Sequence, residues 1–330
     1  MNDLLAEGAE RVNRAISLLP MNGRSVLLTG ATGLIGANIL AALTAAGIPV
    51  QTKGRRNGPM LGTYDYIIHA AGYAQPSRFL DDPMGTAAVN TTMLMSLLER
   101  LNPGGRLLFL STSELYNGNP RGLHNENDIG TTTPAHSRAI YIESKRCGEA
   151  ICHEARRAGK TAIIARVCSV YGPGARKKDT RVMSELIDQG IMFGEIALKD
   201  GGQARRVFLY VTDAVEMLLN ILIRGEQALY NVGGPAYNTG RGGETVGNMV
   251  GEISIVVLAR KIGEILKVPV RLPKIASGTD GGAPSHVGLD NGRYVREFGD
   301  KHYVDLKQGL PLTVAWHQML HGDVPVKVAV

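Results

Sequence analysis

Tyr141 and Lys145 stand four residues apart in SRAIYIESKR, residues 137–146, a spacing that puts both side chains on one face of a helix. A tyrosine hydroxyl has a pKa of about 10, so it accepts a proton near neutrality only where a neighbouring cation favours the phenolate. The Lys145 ammonium is placed to be that cation. Thr112 lies near the end of the apolar run GRLLFLSTS, residues 105–113. At the carboxyl end of a parallel strand its hydroxyl can hydrogen-bond a reacting substrate oxygen. The three predict proton exchange with a substrate alcohol. Tyrosine and lysine also fall at this spacing by chance, so the surrounding elements must decide.

Those elements alternate. SVLLTG (25–30) reads as a strand, Gly30, Gly33 and Gly36 form a GxxGxxG turn, and the run to Gly47 reads as a helix. Strands follow at 48–52, 64–72, 105–113 and 161–170, with helices across 84–101 and 138–158. Apolar runs of this kind are strands buried on both faces, which predicts an α/β class with a doubly wound parallel Rossmann sheet. In such a turn the first glycine permits the bend, the second brings backbone close to a pyrophosphate, and the third lets helix and strand pack. Dinucleotide binding follows. No acidic residue ends the second strand; Thr52, Lys53, Arg55 and Arg56 stand there instead. Basic residues at this place accommodate a 2′-phosphate, which leaves NADP open beside NAD, although a solvated basic turn reads the same way. Only residues 53–63 separate the second strand from the third, too few for a crossover helix plus another strand. The sheet is therefore expected to lack one edge strand on the adenine side.

The 330 residues exceed one ordinary core, and the composition is that of a soluble globular protein, 44% hydrophobic and 20% charged. Residues 1–23 read as a helical extension. The dinucleotide domain is expected over 24–170, with a returning segment near 205–232, and a smaller α+β substrate domain over 171–204 and 233–330. The net charge of +6 is scattered apart from Arg176, Lys177 and Lys178, which suits phosphate-bearing small molecules better than nucleic acid. Cys147, Cys152 and Cys168 make no CxxC pair or disulfide framework, no run approaches the length of a membrane span, and the start is no secretory signal. A cytoplasmic location is expected. His124, His136 and His153 lack metal-ligand spacing, so no metal is expected. His69 is read as packed rather than catalytic, and the Gly-rich stretch 237–248 as an insertion.

In order along the chain, the glycine turn, HAAG (69–72), STSELY (111–116) and YIESK (141–145) resemble the extended short-chain dehydrogenase/reductase family. The resemblance spans roughly residues 24–320. It implies catalytic roles for Thr112, Tyr141 and Lys145, and a cofactor held by Gly30, Thr32, Gly33, Leu34, Ile35, Gly36, Lys53, Arg55, Ala70, Ala71, Gly72, Tyr141 and Lys145. TSELY is similar to the TSEVY segment of UDP-glucuronate decarboxylases, and DTRVMSELI (179–187) and ARRVFLYVTDAV (204–215) are similar to their DGRVVSNFI and TRSFQYVSDLV. This adds Glu114 as a catalytic residue that positions the sugar or relays protons near C5. It implies a nucleotide-diphosphate sugar as substrate, met by Ser113, Arg138, Ser169, Arg181 and Arg206. The implied reaction is transient oxidation at C4, loss of the C6 carboxylate and re-reduction, with NAD recycled; a homodimer is implied too. Two departures, Ser169 in place of an asparagine and the stretch 276–288, fall where nucleotide and sugar would be read. A sugar-nucleotide epimerase or 4,6-dehydratase is the nearest alternative, and a non-catalytic NAD(P)-sensing protein the alternative of another class.

Overall fold

The apolar runs become strands because parallel pairing on both sides leaves their faces no solvent to meet. In a computed structural model, residues 2–54, 61–234, 252–273 and 288–322 are described. The chain passes through α1 (Asn2–Ala15), β1 (Val26–Thr29), α2 (Leu34–Ala45), β2 (Val50–Lys53) and β3 (Tyr64–His69). Helices α3 (Pro76–Asp81), α4 (Pro83–Asn90) and α5 (Thr92–Glu99) lead to the long strand β4 (Leu101–Thr112). Next come β5 (Leu123–His124), α6 (Ala139–Arg157), β6 (Thr161–Val167), β7 (Ser169–Tyr171) and α7 (Val182–Phe193). Then follow β8 (Ile196–Ala197), β9 (Arg205–Tyr210), α8 (Val211–Arg224) and β10 (Leu229–Val232). The last elements are β11 (Glu252–Ser254), α9 (Ile255–Leu266), β12 (Val270–Arg271), β13 (Gly288–Leu289), α10 (Gly292–Phe298) and α11 (Leu306–His321).

Six strands form one parallel sheet in the order β10-β6-β4-β3-β1-β2. Among the described residues β2 is its edge, as the short passage to β3 requires. One face is covered by a core that joins α1, α2 and α8 through Val12, Ile39, Leu43 and Leu218. The other holds Leu94, Leu97, Phe109 and Cys152 against α5 and α6. A third core, around Ile187, Phe208, Leu258 and Val314, lies on a small sheet ordered β11-β9-β7. The N-terminal segment is the expected packing helix: Ala9, Val12 and Ile16 are buried, and Asn13 donates to the Ala42 carbonyl at 3.1 Å.

Three boundaries differ from the sequence reading. The helix expected across 84–101 is two helices, broken at Thr91, whose φ of −120° and ψ of −76° leave the helical region. The fourth sheet strand starts at Leu101 rather than 105, with a register irregularity opposite Tyr64 and Tyr66. The run 161–170 is two strands: Cys168 donates its N–H to the Val232 carbonyl, and from Ser169 the chain pairs with β9 instead of the main sheet. Periodicity marks an apolar run but not the point where it changes sheet. The stretch 237–248 lies outside the described residues, as do all but Gly288 of the stretch 276–288 and both Arg55 and Arg56.

Candidate active site

The glycine turn joins β1 to α2. Gly30 has a φ of +74°, and a Cβ there would stand 2.6 Å from the Ala70 and Ala71 backbone. A Cβ on Gly36 would meet the Gly30 carbonyl oxygen at 2.2 Å, whereas one on Gly33 would have that oxygen at 3.4 Å and no other atom within 4 Å. The first and third glycines are thus fixed by packing, and the second leaves room above the turn. Gly33 is the N-cap of α2 and offers no side-chain cap, so the start of a twelve-residue helix is open to solvent or to an anion.

His69 holds the facing strand end. Its Nε2 lies 2.9 Å from the Val89 carbonyl, which can only accept, so Nε2 carries the hydrogen and Nδ1 accepts from the Thr29 hydroxyl at 2.7 Å. Thr29 Oγ1 in turn accepts the Ala71 N–H at 3.2 Å. Burial and the Lys145 charge push the imidazole down to about 3. It is neutral and structural, as the sequence reading has it.

A cavity of about 700 Å³ begins at Leu34 and Ile35 at the start of α2 and passes Ala70, Ala71 and Gly72 to Tyr141 and Lys145; Gly30, Gly33 and Gly36 do not line it. Thr112, Ser113, Glu114 and Arg138 line it beside them, and Ser169, Arg181 and Arg206 line its further part. Tyr141 is buried, its ring stacked on Phe79 with centroids 4.9 Å apart and planes 6° from parallel, a contact worth roughly 0.5–1.5 kcal/mol beyond area burial. Burial, then the Glu114 charge, push the phenol up to about 12, against the hydrogen bond of Thr112 and the charges of Arg138 and Arg181. This differs from the expectation that Lys145 makes the phenol acidic. Lys145 Nζ instead donates to the Leu110 carbonyl at 2.6 Å and lies 4.6 Å from the centre of the Phe109 ring. Burial in turn pulls the amine down to about 7. Sharing a helix face fixes where the two side chains start; the β4 carbonyl decides where the longer one ends.

Glu114 is gripped by Arg138, whose Nε donates to Oε2 at 2.7 Å and whose Nη2 donates to Oε1. The guanidinium also lies 5.1 Å from the centre of the Phe79 ring. Arg181, the N-cap of α7, pairs with Asp179. Arg206 bonds the Arg205 carbonyl at 2.8 Å, and of the two only Arg206 reaches the cavity. Thr32 and Lys53 do not line it; Thr32 instead accepts from Arg176 through its carbonyl and its hydroxyl. Phe79 and Arg176 are additions that sequence reasoning missed. Phe79 sits on a six-residue helix without periodic signal, and Arg176 was legible only as part of a basic cluster. Among the described residues no group of histidine, cysteine or acidic side chains could hold a metal.

The residues present fit a dinucleotide. An uncapped helix start faces room left by a glycine, small residues wall the cavity beside it, and a hydroxyl, a phenol and an amine converge at its far end. The profile of the NAD dependent epimerase/dehydratase family matches residues 26–233. The chain is 26% identical over 297 residues to UDP-glucuronic acid decarboxylase 1 of Xenopus tropicalis, covering 81% of this chain and 70% of that protein. It is 29% identical over 258 residues to UDP-glucuronic acid decarboxylase 6 of Arabidopsis thaliana, covering 77% and 70%. The fold matches that of DesIV, a dTDP-glucose 4,6-dehydratase from Streptomyces venezuelae solved with NAD and TYD bound. That likeness has a TM-score of 0.72 at 20% identity over 90% of this chain and 98% of the other.

Proposed function

The chain belongs to the NAD dependent epimerase/dehydratase family, and from that premise we propose that it is an enzyme of nucleotide-sugar metabolism whose reaction is decarboxylation of UDP-glucuronate. The observation that carries this reading is the convergence of Thr112, Glu114, Tyr141 and Lys145 on one cavity that reaches the start of α2 at Leu34 and Ile35. When bound, NAD would supply the hydride acceptor and donor for the sugar C4. Gly30, Gly33 and the start of α2 would hold its pyrophosphate, and Ala70, Ala71 and Gly72 would wall its path. Residues 24–170 with 205–232 form the cofactor half in this reading, and 171–204 with 233–330 the sugar-nucleotide half.

Tyr141 exchanges a proton with the C4 oxygen, and the Thr112 hydroxyl, already bonded to the phenol, orients that oxygen. A buried phenol at about 12 is a poor base near neutrality, and the cations around it favour loss of its proton. Arg138 and Arg181 already act in that direction. A carboxylate at C6 is β to a C4 ketone and leaves as carbon dioxide. Glu114, held through both carboxylate oxygens by Arg138, is suited to positioning sugar hydroxyls more than to relaying protons. Arg181 and Arg206, which line the cavity, supply counter-charge to a diphosphate in this reading. The relatives named UDP-glucuronic acid decarboxylase support the choice of substrate.

We further infer a homodimer built on the helix that bears Tyr141, checked by light scattering of the purified protein. A cytoplasmic location is supported by three thiols that form no disulfide; among the described residues no helix is long and apolar enough to cross a membrane. Incubation with UDP-glucuronate and NAD tests the reaction: carbon dioxide and UDP-xylose are expected in equal amounts. No release, with turnover of UDP-glucose to its 4-epimer or of a nucleotide-glucose to its 4-keto-6-deoxy product, moves the assignment to an epimerase or dehydratase. Cofactor binding without turnover of any of these sugars supports a sensor.

A further inference from the structure

Phe79 is fully buried on the six-residue helix α3, yet it stands outside the three hydrophobic cores. Its ring meets the first turn of α6 instead. Tyr141 stacks on it with planes 6° from parallel and centroids 4.9 Å apart, and the Arg138 guanidinium lies 5.1 Å from its centre. Arg138 and Tyr141 are three positions apart, so one ring touches two neighbours on a single helix face. Through Arg138 the same ring bears on Glu114. Phe79 does not line the cavity, although Pro76 and Leu80 of its helix do. It can act on the chemistry only through the residues it touches.

The helix that carries it is tied on both sides. The Ser77 hydroxyl lies 3.0 Å from the hydroxyl of Thr180, a residue of the cavity wall. Asp82, next after the helix, accepts from the Gly85 N–H at 2.9 Å and from the Tyr73 hydroxyl at 3.1 Å. Six residues form no stable helix alone, so these ties keep the ring in place.

Thr112 and Phe79 constrain different properties of Tyr141. The Thr112 hydroxyl bonds the phenol oxygen, but a single bond to a rotating hydroxyl leaves the ring free to tilt. A parallel ring face fixes the plane. A phenolic O–H lies in the plane of its ring, because an oxygen lone pair conjugates with the ring, so the plane decides the direction in which the proton leaves and returns. We propose that Phe79 is a positioning residue that sets the ring plane of Tyr141 and thereby aims the phenolic proton. The inference rests on the proposed role of Tyr141 in proton exchange.

Phe79→Leu keeps an apolar side chain and removes the flat face. With UDP-glucuronate and NAD, kcat is expected to fall about 10–100-fold, since misplacement by about 1 Å costs about 10²-fold, while KM changes less than about threefold. Phe79→Met, whose flexible chain fills irregular gaps, is the second variant and is expected to show the same split. A folded variant with the natural kcat, or one in which only KM moves, overturns the proposal and leaves Phe79 a packing residue. A second reading uses cofactor-free natural protein with 13C-labelled tyrosine, the Tyr141 ring signals being assigned by their absence from Tyr141→Phe. The stacked Phe79 ring shields them, so they are expected upfield of the ordinary tyrosine position and should move downfield in either variant. Unshielded signals in the natural protein overturn the proposal, whatever the substrate. Shielded signals in a natural protein inert toward UDP-glucuronate would fault the proposed reaction and still support the seating of the ring.

Discussion

Tyr141 is surrounded by groups that act on its proton in opposite senses: burial and Glu114 retain it, while Thr112, Arg138 and Arg181 favour its loss. Tyr141→Phe removes the hydroxyl and keeps the ring that stacks on Phe79. We expect turnover of UDP-glucuronate to fall by about 10²–10⁴-fold with UDP-glucuronate binding, followed by calorimetry, changed little; a variant with full turnover excludes the phenol as the acid and base. His69 makes a prediction of another kind. Its folded value of about 3 lies below the value of about 6.5 in an unfolded chain, so between these limits the unfolded state binds the extra proton. Stability from this site is complete above pH 6.5 and is lost as the pH falls toward 3. His69→Gln keeps a donor for Val89 and an acceptor for Thr29 without titrating. Urea unfolding at pH 7.5 and pH 5 should therefore show a smaller loss of stability in the variant than in the natural protein, and equal losses would mean that His69 is charged in the fold.

The element that matters most to the site is α6, and its seat on the sheet depends on Gly148. A Cβ at that position would lie 2.6 Å from Cζ of Phe109 and 2.8 Å from the Asn90 carbonyl oxygen. Gly148→Ala must therefore lift the helix from β4 or displace Phe109, over whose ring Lys145 lies. We expect a loss of roughly 1–3 kcal/mol in unfolding free energy, together with a fall in turnover larger than any fall in UDP-glucuronate affinity; unchanged stability and rate would show that the helix has slack. What could be read without coordinates follows the same logic. Tyr141, Lys145 and Thr112 were legible because helical repeat and strand end fix them locally, and the glycine turn was legible because its residue types answer to backbone geometry. The pairing of Glu114 with Arg138 spans 24 positions and carries no periodic signal. The hold of the Leu110 carbonyl on Lys145 depends on where a four-carbon chain ends, which spacing leaves open. Phe79 escaped notice because a short helix between Pro76 and Asp81 leaves too few residues for a pattern.

At the scale of the whole molecule, the main sheet and the small sheet are connected where β6 gives way to β7, and the loop after β7 reaches back over the glycine turn. Within that loop Arg176 donates to the Thr32 carbonyl and hydroxyl, while the neighbouring Ala175 carbonyl accepts from the indole nitrogen of Trp316 at 2.8 Å. Trp316 belongs to α11 and is the sole tryptophan of the chain. A carbonyl and a hydroxyl carry no charge to set against the guanidinium, whereas a pyrophosphate offers a full counter-charge and two parallel acceptors. We expect a pyrophosphate brought to the glycine turn to draw Arg176 from Thr32, and the neighbouring Ala175 carbonyl to carry the change to the bond that Trp316 makes. Saturating NAD should change Trp316 emission in intensity or wavelength, with a midpoint that agrees with NAD affinity measured by calorimetry. In Arg176→Ala the emission change should shrink, and NAD should bind several-fold more weakly because an anion loses a counter-charge. Emission that stays constant while calorimetry records NAD binding would mean that the loop keeps its hold on Thr32 with the cofactor in place.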